Sequence, residues 1–163
     1  MPNLRFIKSS YLITSVFVAF IFLIDRISKI LIIKKSKEIG SSEIFNSKLI
    51  NFELIWNKGI AFGLFSLEEG FSYQIISFLI ILIIIILIYL INRSKSYEKF
   101  GFIMVLGGAL GNLFDRLFYK AVPDFIELHV NSFHWFIFNI ADIFITIGVI
   151  CLILVEIFYK KEV

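Results

Sequence analysis

The chain has 163 residues, of which 59% are hydrophobic and 18% charged, with a mean hydropathy of +0.91; so apolar a composition excludes an ordinary soluble domain and points to a membrane protein. The formal net charge of +3 does not indicate a nucleic-acid surface, because the cations sit mostly at the ends of apolar runs, where they act as topology signals. Cys151 is the single cysteine, which rules out an intramolecular disulfide and a cysteine-based metal site and leaves it as a lipid-facing or packing residue.

Arg5 and Lys8 precede an apolar stretch, as in a secretory signal. The stretch is too long for one, however, and no small-x-small cleavage site follows, so it is expected to be a permanent span. Four segments meet the requirement of about twenty mainly apolar residues, at roughly 11–33, 72–91, 100–118 and 137–159. The expected fold class is therefore an all-α membrane protein of four transmembrane helices, a single polytopic domain over 1–163. Arg5, Lys8, Arg93, Lys95, Lys99, Lys160 and Lys161 crowd the segments that share the side of the termini. Positive-inside bias then predicts cytoplasmic termini, although Lys34, Lys35 and Lys37 weaken the contrast.

The first outer loop, about 34–71, is too long for a simple connection. Phe52, Leu54 and Trp56 alternate with Asn51, Glu53 and Ile55, as in a short amphipathic strand. Asn57-Lys58-Gly59 reads as a turn, and the apolar run from Ile60 to Phe65 follows. Either a small sheet against the membrane face or a loop anchored by interfacial aromatics fits this pattern.

Ionisable residues within spans are costly and call for a reason. The order of the spans puts Asp25 and Lys29 in the outer half of the first, Asn112, Asp115 and Arg116 at the outer end of the third, and Asn139 and Asp142 in the first turns of the fourth. Asp124 lies just beyond the third span, so all these groups converge on one level of one leaflet. Asp25 with Lys29, and Asp115 with Arg116, are also readable as structural ion pairs. Asp142 has no cation beside it in sequence and must be partnered in space or partly protonated.

Two adjacent carboxylates do not both ionise cheaply. One retains a proton while the other is charged, which is the arrangement that activates water in aspartic peptidases. Asp124 and Asp142 suit that chemistry, which requires no metal or other cofactor. His129 and His134, five residues apart, are expected as interfacial loop residues without a ligand-like arrangement. Ser28 and Lys29 are helix neighbours about 100° apart and do not face each other as a Ser-Lys pair must. Gly107, Gly108 and Gly111 give the small-residue spacing of close helix packing. A rival class, a small ion or proton carrier using Asp25 and Asp142, needs titratable groups at several depths. Only Glu156 lies near the inner end.

Together these segments resemble the lipoprotein signal peptidase family, also called signal peptidase II. The resemblance rests on Leu23-Ile24-Asp25-Arg26-Ile27-Ser28-Lys29, Asn57-Lys58-Gly59-Ile60-Ala61-Phe62-Gly63, the run from Gly107 to Arg116, Asp124-Phe125-Ile126 and Phe138-Asn139-Ile140-Ala141-Asp142, five motifs in order across the chain. It implies a bacterial inner-membrane aspartic endopeptidase that cuts prolipoproteins before a diacylglyceryl-modified cysteine, with its site toward the periplasmic face and a small outer-face β-cradle in the first outer loop, around Phe52 to Trp56. It implies Asp124 and Asp142 as catalytic dyad, and Asp25, Lys29, Asn57, Gly59, Asn112, Asp115, Arg116 and Asn139 as site-shaping or substrate-contacting positions. The implied partners are diacylglyceryl prolipoproteins, membrane lipids and the inhibitor globomycin, with no nucleic acid. Pro123, Arg26, Ile60 and Ile143 depart from residues common in the family and bear on local shape or substrate preference.

Overall fold

A computed structural model describes residues 4–59, 71–94, 96–131 and 133–159. In chain order the elements are α1 (Leu4–Ile39), β1 (Glu43–Phe45), β2 (Ile50–Asn57), α2 (Phe71–Arg93), α3 (Ser96–Tyr119), β3 (Val122–Val130), β4 (Phe133–Phe138) and α4 (Ile140–Tyr159). The sequence segment from Ile60 to Phe65 lies outside the described residues.

Helix α3 packs against each of the other three helices. Half of its apolar window is buried (50%), against 28% for α2 and 11% for α4. Ile84, Leu87 and Ile91 of α2 meet Ile103, Leu106 and Ala109 of α3 in the apolar core. Elsewhere Leu12, Val16, Phe20, Ile27, Phe78, Ile85, Ile150 and Leu154 point outward. Helices apolar on their outer faces as well as their inner ones are those of a membrane protein.

Three described helices, not the expected four, are long and apolar enough to cross a membrane by length and composition: Gln74–Arg93, Tyr97–Tyr119 and Ile140–Phe158. Helix α1 differs from these three in its charge: Asp25, Arg26 and Lys29 interrupt its apolar run, and Lys34, Lys35 and Lys37 follow. The helix ends at Gly40, whose φ of 71° is the left-handed cap that glycine adopts freely, while the Gly40 N–H donates to the Ser36 carbonyl at 2.9 Å.

The small sheet exists but is larger than the first outer loop. Its four strands lie in the order β1-β2-β3-β4, all antiparallel. The alternating segment is β2, yet the last two strands come from 122–138, read from the sequence as a connection and the start of the fourth span. That helix begins at Ile140 rather than near 137, and the protein is helical with a sheet rather than all-α. Register shifts between Phe52 and Ile55 and between Glu127 and His129 interrupt the two-residue period, as β-bulges do. Pro123 pairs with Trp56. Strand β4 reaches only as far as Ile126, so Pro123 stands where one side of β3 has no strand partner, a position in which sheets tolerate proline.

The glycines of α3 permit the close helix contacts expected from their spacing. A Cβ on Gly108 would lie 2.5 Å from the Ala141 carbonyl oxygen and 2.8 Å from Ile145. The obstacle is backbone, so α3 and α4 must separate to admit a methyl group. We expect Gly108→Ala to cost about 1–3 kcal/mol, read as a lowered thermal midpoint in detergent. An unchanged midpoint would show that the two helices do not meet there.

Candidate active site

Asn139 immediately precedes α4 and caps it reciprocally. Its Oδ1 accepts the Asp142 N–H at 3.1 Å, while Asp142 Oδ2 accepts the Asn139 N–H at 3.1 Å. This is the capping-box exchange, made with Asn and Asp. The Asn139 Nδ2 then donates to Asp124 Oδ1 at 2.6 Å. A single asparagine therefore binds both carboxylates, and the turn from β4 into α4 brings Asp142 toward the Asp124 strand.

Two further amides complete the set. Asn57 Nδ2 donates to Asp124 Oδ2 at 2.9 Å, and its Oδ1 accepts the Gly59 N–H at 2.9 Å, closing the turn expected at 57–59. Asn112 Nδ2 donates to Asp142 Oδ1 at 2.8 Å. Its Oδ1 accepts from Lys29 Nζ at 3.0 Å. Lysine only donates and an ionised carboxylate only accepts, so the Asn112 amide has one workable orientation. The three side-chain amides thereby each donate to one of the two carboxylates.

Beneath this layer lies a buried ion cluster. Lys29, with no exposed surface, reaches Asp25 at 2.9 Å and Asp115 at 2.7 Å. Arg26 lies 3.2 Å from Asp25 and 2.6 Å from Asp115, with its guanidinium 4.9 Å from the Phe114 ring centre. The Asp25–Lys29 pair read from the sequence is present, but it is half of a four-member cluster. Asp115 takes its cations from α1 rather than from its neighbour Arg116. Arg116 instead donates to the Gly59 carbonyl at 2.8 Å, holding the 57–59 turn over the site. Asp25 Oδ1 also accepts the Ala141 N–H at 3.0 Å, satisfying one of the free donors at the start of α4. Gly111 makes room for it, since a Cβ there would fall 2.6 Å from Asp25 Oδ2.

All ten candidate positions thus belong to one connected network. Sequence reading had Arg26 only as a departure from a pattern, because its main partner, Asp115, is distant in the chain. Asp124 stands on strand β3 rather than in a loop. Burial of its carboxyl, followed by the charge of Asp142, pushes its pKa up to about 6, against the opposing hydrogen bonds of Asn57 and Asn139 and the Lys29 charge.

Two hollows meet at this point. One, of about 250 Å³, places Asp124, Asp142, Asn112 and Asn139 opposite Ile80, Ile83, Val105 and Ala109 between the helices. The other, of about 730 Å³, runs from Asp124 and Asn57 along the sheet beside Trp56, Trp135 and Phe136. Both carboxylates therefore line a mainly apolar chamber, and Asp124 borders the aromatic groove as well.

His129 and His134 are not isolated loop residues. They are directly opposed on β3 and β4, with rings stacked 5.3 Å apart. The hairpin, reversing at Asn131 with φ of 53°, converts a separation of five residues into a cross-strand pair.

Among known proteins, residues 17–158 match the family described as signal peptidase (SPase) II. The chain is 47% identical over 156 residues to a lipoprotein signal peptidase of Pelagibacter ubique (strain HTCC1062), covering 96% of this chain and 93% of that protein. It is 38% identical over 147 residues to one of Anaplasma marginale (strain Florida), covering 89% and 84%. Its fold is similar to a solved bacterial membrane enzyme at 28% identity with a TM-score of 0.75, over 91% of this chain and 89% of that one. A second solved bacterial membrane enzyme gives 27% identity and a TM-score of 0.75, over 88% and 91%.

Proposed function

The chain belongs to the signal peptidase II family, and from that premise we propose that Asp124 and Asp142 are the peptidase dyad of a membrane enzyme that removes signal peptides from prolipoproteins. The aspartic mechanism follows from the family. The observation that carries the residue assignment is the convergence of Asn57, Asn112 and Asn139 on these two carboxylates. Donors arranged in this way suit a pair that shares one proton and one negative charge. The ionised member takes a proton from water as the oxygen attacks the scissile carbonyl, and the protonated member donates to the carbonyl oxygen. The leaving amine then receives the proton taken from water, and as the carbonyl re-forms the gem-diol returns the donated proton to the other carboxylate, restoring the pair's starting state. The dyad titrates as a unit, so acid and base are roles of the pair rather than of either residue.

The substrate is a precursor whose cysteine carries diacylglycerol, cut immediately before that cysteine. The two hollows support this: the apolar chamber between helices suits acyl chains arriving laterally from the bilayer, and the aromatic groove suits the peptide. Helix α1 completes four spans over the single domain 1–163. Within its apolar run Asp25, Arg26 and Lys29 are buried and their net charge is balanced by Asp115, while Leu12, Val16, Phe20, Leu23 and Ile27 face outward. The termini lie in the cytoplasm, as the distribution of Lys and Arg favours, and the dyad at the periplasmic side of a bacterial inner membrane.

The test is cleavage by the purified chain of a prolipoprotein with and without its diacylglyceryl group. Only the lipidated form should be processed, with a new N-terminal lipidated cysteine, and globomycin should block the reaction. Equal cleavage of both forms would refute the substrate assignment.

A further inference from the structure

The β3–β4 hairpin carries a second cluster of side chains that the peptidase chemistry does not use. We infer that Glu127, His129 and His134 form a binding site for a divalent transition ion of the zinc class. Their ligand atoms all lie within 4.8 Å of one another. Donors sharing one zinc at about 2.0–2.1 Å sit about 3.3 Å apart in tetrahedral geometry, so binding would turn the two stacked imidazoles toward a common point.

Three observations support the assignment. The His129 Nδ1 is buried without a hydrogen-bond partner, and a buried polar atom in that state calls for an explanation such as an unfilled ligand position. The Glu127 carboxylate is already oriented, with Oε2 accepting from Asn51 Nδ2 at 2.8 Å and Oε1 lying 3.0 Å from His134 Nδ1. Metal-binding carboxylates are held by such outer partners. The donor set itself, two imidazoles and one carboxylate, suits zinc and leaves a coordination position for water, which the exposed His134 side chain admits. Bound there, the ion ties the strand that carries Asp124 to the strand that leads into Asn139.

The chain contains only two histidines and one cysteine, which makes the test specific. The full-length protein, purified in detergent without a polyhistidine tag and stripped with chelator, is titrated with zinc chloride against a chromophoric zinc indicator. One equivalent should bind per chain, and zinc should raise the thermal midpoint because it binds the folded state. His134→Ala should weaken binding at least tenfold and abolish the midpoint shift, whereas His134→Cys, which supplies a thiolate ligand, should restore both. Because the His134 side chain is 54% exposed, its truncation should leave the circular dichroism spectrum unchanged. Absence of stoichiometric binding in the native chain, or undiminished binding by His134→Ala, would overturn the site. Peptidase activity decides neither result, so failure here is distinct from failure of the dyad.

Discussion

Replacing either dyad residue, as Asp124→Asn or Asp142→Asn, should reduce prolipoprotein cleavage by about 10³-fold, within the span expected for a lost acid–base group. Both variants remove a carboxylate while keeping its volume, so the loss should appear in kcat on a chain that still folds. Near-native turnover by either would remove it from the dyad. Stability supplies an independent check at Asp124. Its pKa is raised from 3.8 to about 6, so the folded state holds this proton more tightly than the unfolded state. The associated stability is fully present below 3.8 and is lost as pH rises through about 6. A shift of that size corresponds to at most about 3 kcal/mol. Asparagine avoids that ionisation cost, but its NH2 confronts one of the two amide donors, a mismatch of about 1–3 kcal/mol. The two effects nearly cancel at neutral pH. The clearer result is the slope: the thermal midpoint of the native chain should fall from about pH 4 to just above about pH 6, and Asp124→Asn should flatten that fall. The same proton is needed for catalysis, so kcat/KM should decline above about pH 6. If acyl chains fill the chamber as proposed, they exclude water from the pair and the decline in kcat should come at higher pH.

The largest loss of stability is expected from Lys29→Met. Lys29 is fully buried and contacts Asp25, Asn112 and Asp115. Without it two buried carboxylates share Arg26 alone, and breaking a buried ion pair costs about 3–5 kcal/mol. The thermal midpoint, followed by the fluorescence of Trp56 and Trp135, should fall sharply. Lys29→Met combined with Asp115→Asn removes one cation and one anion together and should recover much of the loss, the signature of direct coupling. A single variant as stable as the native chain would mean that the cluster contributes little. Activity should fall as well, because Asn112 loses the contact that fixes its amide toward Asp142.

The helices and the convergence of polar groups could be read from the chain because charge in an apolar run is conspicuous. Asp25, Lys29, Asp115 and Asp142 stood out for that reason, and all four join the network. The sheet was harder to read. Val122–Phe138 includes Phe125, Phe133, Trp135, Phe136 and Phe138 and runs straight into α4, so its hydrophobicity merged with that of the helix. The bulges in β2 and β3 further blurred the two-residue period. Pairings such as Arg26 with Asp115, or His129 with His134, depend on a helix contact and a hairpin register that no local pattern encodes. The reciprocal cap at Asn139 lay within four residues, yet its third bond, to Asp124, required the sheet.

The four-member ion cluster also bears on how the chain is made. Lys29 and Asp115 are 86 residues apart, so α1 emerges during synthesis long before its counter-charge. Until α3 arrives, α1 offers the bilayer two cations against one anion, and a charged residue at the centre of a span costs about 2.5–3.5 kcal/mol on insertion scales. With α1 as the proposed first span, that charge is balanced only when the third helix docks against it. Docking of α3 on α1 and assembly of the candidate site are thus one event, since the meeting of Lys29 with Asp115 also brings it to Asn112.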